Sequence, residues 1–248
     1  LDKVSASSVV GRPGDYRPLI LDERARLYLY RYWEYENILA KELRERAAAD
    51  TSRIDLPLLK DGLKRLFPQP VEKTADRQKL AALVSVLKRF CVISGGPGTG
   101  KSTLIAKVMV LILEQNKGND TQIFLAAPTG KAAARLQEAI RNGSEKLNVD
   151  DRIKKSIPAE ASTIHRLLGT IPGSPYFRHN AENRLPSQMV VVDESSMVDL
   201  ALMSKLVQAI PSDVRLILLG DKDQLASVEA GAIFGDICDT GRNHEFSE

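Results

Sequence analysis

Gly95, Gly100, Lys101 and Ser102 stand in the run GGPGTGKST with the spacing G-x-x-x-x-G-K-[ST]. That spacing makes a loop whose backbone N–H groups turn inward on phosphate oxygens, and a helix that starts there adds its positive dipole end. Gly95, Gly96, Pro97, Gly98, Thr99, Gly100, Lys101, Ser102 and Thr103 are the candidate nucleotide-binding residues. Lys101 is expected to reach the β and γ phosphates of ATP, and the Ser102 hydroxyl to ligate Mg2+. A second run, VVVDESS, delivers Asp193 and Glu194 after four apolar residues, 189–192. Two carboxylates at the end of a buried strand are costly unless they have partners. In a protein with a phosphate-binding loop such a pair is assigned in order, Asp193 to the magnesium sphere and Glu194 to the base that polarises the attacking water; a surface Asp-Glu pair in a turn is the alternative. Gln224 follows a third apolar run in LILLGDKDQLASVEAG. Its amide can hydrogen-bond both phosphate oxygen and water, which suits a sensor of the γ-phosphate; a plain turn over 221–224 is the alternative.

The elements that must hold these residues are legible in the hydrophobic pattern. From residue 74 onward, apolar strands at 91–94, 123–127, 189–192 and 215–219 alternate with helices at 76–90, 102–115, 131–141 and 200–209. Alternation of this kind predicts an α/β fold, a mostly parallel sheet with helices on both faces, which binds ligands beyond the strand carboxyl ends. Residues 142–159 and 172–187 read as loops. Before residue 70 the pattern is different. Gly11, Pro13, Gly14 and Pro18 mark an extended or turning stretch, and 22–49, free of Gly and Pro, reads as one long helix. On it Tyr28, Tyr32, Tyr35 and Leu39 fall along one stripe that serves either as packing or as a docking face. A shorter helix is expected at 56–66, and Pro68 and Pro70 break the chain there. The boundary divides a small helical N-terminal domain, 1–70, from a lobe over 71–248.

The 248 residues are 43% hydrophobic and 27% charged, near globular averages, which argues against collagenous, disordered and disulfide-scaffold classes. Residues 1–90 hold 18 basic and 13 acidic side chains and 91–248 hold 17 and 19, so the basic excess lies in the first part; it permits nucleic-acid contact without requiring it. Cys91 and Cys238 lie far apart in apolar surroundings and suggest neither a disulfide nor a metal site. No apolar run approaches the ~18 residues of a membrane span, and a cytoplasmic location fits. The chain begins at Leu1 and its first methionine is Met109, which suggests a piece of a longer protein.

Taken in order, Gln78 in TADRQKLA, GGPGTGKST, APTGKAAARL, STIHRLLG, VVVDES and GDKDQLASVEAG resemble the first half of the motif set of superfamily 1 helicases. Within that group they are most similar to the RecD helicase subunits of bacterial RecBCD complexes, whose other name is the alpha subunit of exodeoxyribonuclease V. The resemblance spans nearly the whole chain: RPLILDERARLYLYRYWEYE looks like the N-terminal helical region and PGSPYFRHNAENRL like the insertion ahead of the magnesium-binding strand. It implies a P-loop NTPase lobe of the RecA-like kind. It also implies that Gln78 reads the adenine edge, where an amide meets one donor and one acceptor side by side. Pro128, Thr129, Gly130 and Lys131 look like the segment that holds single-stranded DNA without reading sequence. Thr163 and His165 look like a second DNA-contacting motif. An exposed helical glutamine at Gln78 and a structural hydrogen bond at His165 are the alternatives. Ala226 and Glu229, where many stand-alone relatives have Pro and Gly, favour the complex-forming subunit.

The expectation is the N-terminal part of an ATP-dependent 5′ to 3′ DNA helicase subunit acting in double-strand break repair and recombination. Its cofactors would be ATP and Mg2+, and its partners single-stranded DNA and RecB-like and RecC-like subunits, with no membrane. A non-motor P-loop switch or binding module, or a stand-alone RecD-like helicase, are the alternatives; APTGKAAARL and the Gln224 motif favour the motor. The family's second RecA-like lobe, which supplies arginines to the γ-phosphate, has no counterpart in the few residues after Arg242, and no metal-nuclease constellation is recognisable. An arginine finger contributes ~10³ to 10⁵ in rate. Residues 1–248 alone are therefore expected to bind Mg-ATP or Mg-ADP weakly and hydrolyse ATP negligibly, as steady-state ATPase with and without single-stranded DNA would measure.

Overall fold

The computed structural model describes residues 2–49, 54–68, 76–116, 121–224 and 233–239. After a short helix α1 (Asp2–Ser5), the strands β1 (Val10–Gly11), β2 (Leu19–Leu21) and β3 (Leu27–Leu29) form a small sheet in that order, parallel between β1 and β2 and antiparallel between β2 and β3. The long helix expected over 22–49 is thus shorter: α2 spans Tyr30–Ala48. Asp22 explains the difference. Its carboxylate accepts from the N–H groups of Arg24 (3.0 Å) and Arg26 (2.8 Å) and from the Arg26 side chain (2.7 Å), fixing a turn that competes with the helix. The Arg26 backbone contact leads in holding the Asp22 carboxyl below its ordinary pKa. The turn folds residues 27–29 back onto 19–21. Tyr28 consequently lies in β3, and the expected stripe is broken; Tyr32 and Tyr35 are half-buried against the core that contains Leu39.

The main sheet is parallel throughout. Its strands are β4 (Phe90–Ser94), β5 (Ile123–Ala127), β6 (Ala161–Thr163), β7 (Met189–Val192) and β8 (Arg215–Gly220), in the spatial order β4-β8-β7-β5-β6. Successive strand residues point to opposite faces, and the core divides accordingly. Cys91, Ile93, Leu125, Val191, Ile217 and Leu219 face α3 (Leu56–Leu66), α4 (Arg77–Leu87), α5 (Lys101–Gln115), α6 (Gly130–Glu145) and α7 (Asp151–Ser156). Ala126, Val190, Val192, Leu216 and Leu218 face α2, α8 (Ile164–Leu168), α9 (Leu200–Ala209) and α10 (Ile233–Cys238). Burial on both faces is why these strands read as unbroken apolar runs. Every residue from Leu104 to Leu113 of α5 except Lys107 is buried, so the helix that follows the glycine-rich loop is held immobile by the core.

Several element boundaries differ from the sequence reading. The helix expected over 76–90 stops at Leu87, because Phe90 enters β4; the stretch 142–159 contains the end of α6 and all of α7; and β6, α8 and α10 were not expected. Within 172–187, Lys205 donates to the Pro175 carbonyl (3.0 Å) and its ammonium lies 5.8 Å from the Tyr35 ring and 5.6 Å from the Phe177 ring, pinning the insertion to α2 and α9. The boundary near residue 70, like Ala226 and Glu229, lies outside the described residues. Both helices before it pack across it, α2 on α9 and α3 on α5, so α2 and α3 cover opposite faces of one sheet. Among the described residues no helix is long and apolar enough to cross a membrane.

Candidate nucleotide and nucleic-acid site

The glycine-rich loop leaves the carboxyl end of β4 and enters α5 at Lys101. Gly98 (φ +74°) and Gly100 (φ +81°) occupy the left-handed region, which a side chain at either position would disfavour. Thr99 Oγ1 donates to the Gly96 carbonyl (2.9 Å), and Gln78 Nε2 on α4 donates to the Thr99 carbonyl (3.2 Å). Gln78 is thereby placed against the loop, one residue from the N-terminus of α5. The Lys101 ammonium donates to the Gly95 carbonyl and to the Gly96 carbonyl (2.9 Å). A cation resting on loop carbonyls must move to meet a phosphate, and those carbonyls are its partners until then.

Asp193 and Glu194 follow β7, as the apolar run required. The Asp193 N–H continues the β7–β5 pairing by donating to the Ala126 carbonyl (2.9 Å), which carries its side chain into a half-dry position. Burial raises the Asp193 pKa most; the N–H of Glu194, which donates to Asp193 Oδ1 (2.9 Å), opposes the rise, the Glu194 charge adds to it and the Lys101 charge opposes it. No lysine or arginine lies within ion-pair distance of Asp193 among the described residues. A carboxylate in this condition fits a divalent cation, which would offset its desolvation. The sign of the linkage follows: with the folded pKa raised, the native state holds the proton more tightly, so stability falls as pH rises from the ordinary value of 3.8 through the folded one. Glu194 itself adopts φ +51°, ψ 39°, at a cost of about 1–2 kcal/mol for a residue with a Cβ. The chain reverses there into a 3₁₀ turn, Ser195–Met197, and the Ser195 hydroxyl secures it by donating to the Val192 carbonyl (3.0 Å).

The position of β8 organises the site. It lies between β4 and β7, so residues 221–224 at its carboxyl end stand between the glycine-rich loop and the carboxylate pair. Gly95 N–H donates to the Gly220 carbonyl (3.1 Å) and Lys222 N–H to Ser94 Oγ (3.1 Å) on one side. On the other, the Ser196 hydroxyl donates to Gln224 Oε1 (3.2 Å). Gly220 has no side chain because the Phe234 ring of α10 occupies that space; a Cβ would stand 2.7 Å from it. Ser94, Ser196 and Lys222 were not singled out in the sequence, since small polar residues beside a motif carry no periodic signal.

The other expected residues gather at the far end of the same edge. Pro128, Thr129, Gly130 and Lys131 follow β5, and Thr163 ends its neighbour β6, paired in register with Ala127, with His165 two residues on in α8. Both threonines cap helices: Thr129 Oγ1 accepts from Ala132 N–H (3.2 Å) and Thr163 Oγ1 from Arg166 N–H (3.1 Å). Their hydroxyl hydrogens stay available to an outside acceptor. Thr129, Gly130 and Lys131 are exposed, and His165, also exposed, meets the edge of Phe177 at 5.6 Å. β7 and β8 separate this group from the phosphate loop on β4.

Residues 78–230 match the model of the AAA domain family. The chain is 46% identical over 223 residues to the RecBCD enzyme subunit RecD of Mycobacterium tuberculosis, which covers 89% of this chain and 37% of that protein. To the subunit of the same name in Haemophilus influenzae it is 42% identical over 216 residues, 85% of this chain and 33% of the relative. To the ATP-dependent RecD2 DNA helicase of Deinococcus radiodurans it is 41% identical over 165 residues, 66% and 20% of the two chains. The chain thus spans roughly a third of the length of the curated RecD relatives it matches.

Proposed function

Because this chain belongs to the AAA domain family and is similar to RecD subunits, we propose that it carries the nucleotide-binding lobe of an ATP-dependent DNA helicase subunit of the RecBCD type. The carrying observation is the end of β8 and the residues after it, hydrogen-bonded to Ser94 at the end of β4 and to Gly95 at the start of the glycine-rich loop on one side, and to the turn after Asp193 and Glu194 on the other. In this reading Gly95 to Thr103 cradle the phosphates of ATP, Lys101 leaves the loop carbonyls for the β and γ phosphates, and Gln78 borders the base. Ser102 and Asp193 would hold Mg2+, which supplies charge neutralisation at the phosphates. Glu194 takes a proton from the attacking water, and Gln224 reports whether a γ-phosphate is present.

Nucleic acid would run across the β5 and β6 ends, over Pro128, Thr129, Gly130, Lys131, Thr163 and His165, as a single strand held by its backbone. The RecB-like and RecC-like partners, the 5′ to 3′ direction, the role in break repair and the cytoplasmic location are part of the same proposal, supported by the similarity to RecD subunits. The division into a small helical N-terminal domain, 1–70, and a first RecA-like ATPase lobe, 71–248, is part of the same proposal, although their helices share the cores of one sheet.

DNA-stimulated ATPase of the full-length polypeptide that carries these residues tests the reading. Turnover that rises with single-stranded DNA supports a motor; nucleotide binding without DNA-stimulated turnover favours a switch. A backbone-held strand also predicts a steep loss of affinity with salt. Lys131→Ala should lower the slope of log affinity against log salt by about one, uniformly across DNA sequences. An unchanged slope would return Lys131 to the role of a solvated helix start.

A further inference from the structure

We propose that Ser196 is a positioning residue that fixes which face of the Gln224 amide meets the nucleotide. The inference rests on the nucleotide-site reading above and concerns a residue outside the motif positions assigned there. Ser196 lies in the 3₁₀ turn directly after Glu194 and is only 8% exposed, whereas Gln224 is exposed. The Ser196 hydroxyl donates to Gln224 Oε1 at 3.2 Å. An amide offers one acceptor oxygen and one nitrogen with two donors. With the oxygen held by Ser196, the nitrogen is the end left for the site, so Gln224 faces phosphate as a donor. Without that hydroxyl the amide can rotate by half a turn and present an oxygen to phosphate oxygens, which repel it. The contact also joins the turn carrying the base to the loop carrying the sensor, so a shift of Gln224 on loss of the γ-phosphate is felt one residue beyond Ser195 and two beyond Glu194.

The test is steady-state DNA-stimulated ATPase of the full-length polypeptide with Ser196→Ala, Ser196→Thr, Gln224→Ala and the double variant Ser196→Ala/Gln224→Ala. One hydrogen bond of ordinary net strength corresponds to about tenfold in rate. Ser196→Ala should therefore lower kcat about tenfold while KM for ATP stays close to the parent value. Ser196→Thr, which keeps the hydroxyl, should restore most of the rate, and the double variant should be no slower than Gln224→Ala alone. Losses that multiply in the double variant would overturn the proposal, as would a parental kcat per nucleotide-binding site in Ser196→Ala accompanied only by a lower thermal midpoint. Lys101→Ala separates the two levels. If it abolishes turnover while Ser196→Ala is normal, only the positioning role fails; if it too is normal, the nucleotide-site reading fails.

Discussion

Glu194→Gln in the full-length polypeptide should bind Mg-ATP as the parent does and hydrolyse it about 10²- to 10⁴-fold more slowly, the range that a general base contributes. The amide keeps the size of the carboxylate and leaves Asp193 and Ser102 untouched, so binding survives while the proton acceptor is gone. Lys101→Ala should fail earlier in the cycle. That substitution removes the cation proposed for the β and γ phosphates, and also the side chain that bonds to the Gly95 and Gly96 carbonyls of the loop. Binding and turnover should fall together, with the fold unchanged because Lys101 lies outside the apolar stretch of α5 that the core encloses. Nucleotide titration by fluorescence and steady-state ATPase separate the two cases. Weakened binding with normal turnover per bound nucleotide in Glu194→Gln would contradict the division of roles between Asp193 and Glu194.

The second large effect is on stability, and it comes from a residue with no part in the chemistry. Arg46 on α2 is 1% exposed. Its guanidinium donates to the carbonyls of Val207 (3.3 Å), Ile210 (2.5 Å), Pro211 (2.8 Å) and Val214 (3.2 Å), which close α9 and lead into β8. The last carbonyls of a helix lack internal partners and carry the negative end of its dipole, so a buried cation is well matched to them. Glu42, one turn earlier on α2, adds charge at 3.8 Å. Burial lowers the Arg46 pKa most, and Glu42 partly restores it. Arg46→Ala would leave four carbonyls without that donor and a cavity between α2 and α9. A loss of about 3–5 kcal/mol is expected, as when one partner of a buried charged network is removed. Arg46→Met, which keeps the aliphatic bulk, should recover only the packing part. Urea unfolding followed by circular dichroism measures both; a change below about 1 kcal/mol in Arg46→Ala would mean that α2 is not anchored through these bonds.

Arg215 repeats the device on the opposite face. It donates to the carbonyls of Val86 (2.7 Å) and Lys88 (3.3 Å) where α4 ends, and burial, helped by the Arg89 charge, pulls its pKa down to about 10. Neither arginine belongs to a motif or stands out in the sequence pattern around it. Nothing local marks a side chain whose acceptors are 161 to 168 residues away, as those of Arg46 are.

The glycine-rich turn between a strand and a helix, the placing of Asp193 and Glu194 at a strand's end and four of the five main strands were determined by the sequence alone, because each depends on residues next to one another in the chain. A strand buried on both faces must be apolar throughout, and a loop that wraps phosphate must have glycine where φ is positive, as at Gly98 and Gly100. The small N-terminal sheet has no signal in the sequence pattern because strands of two or three residues have too few positions to show alternation and because one side chain, Asp22, outweighs the helix propensity around it. Strand order was decided only by the tertiary structure. The sequence lists β4, β5, β6, β7 and β8, whereas packing places the last of them between the first and the fourth. That placement lets Gly220 bond to Gly95, Lys222 to Ser94 and Gln224 to Ser196, contacts made between segments remote in the chain. The physical reason is that hydrophobic pattern specifies how much of a strand is buried and on which faces, while its neighbours are chosen by the helices and side chains that fit around the sheet as a whole.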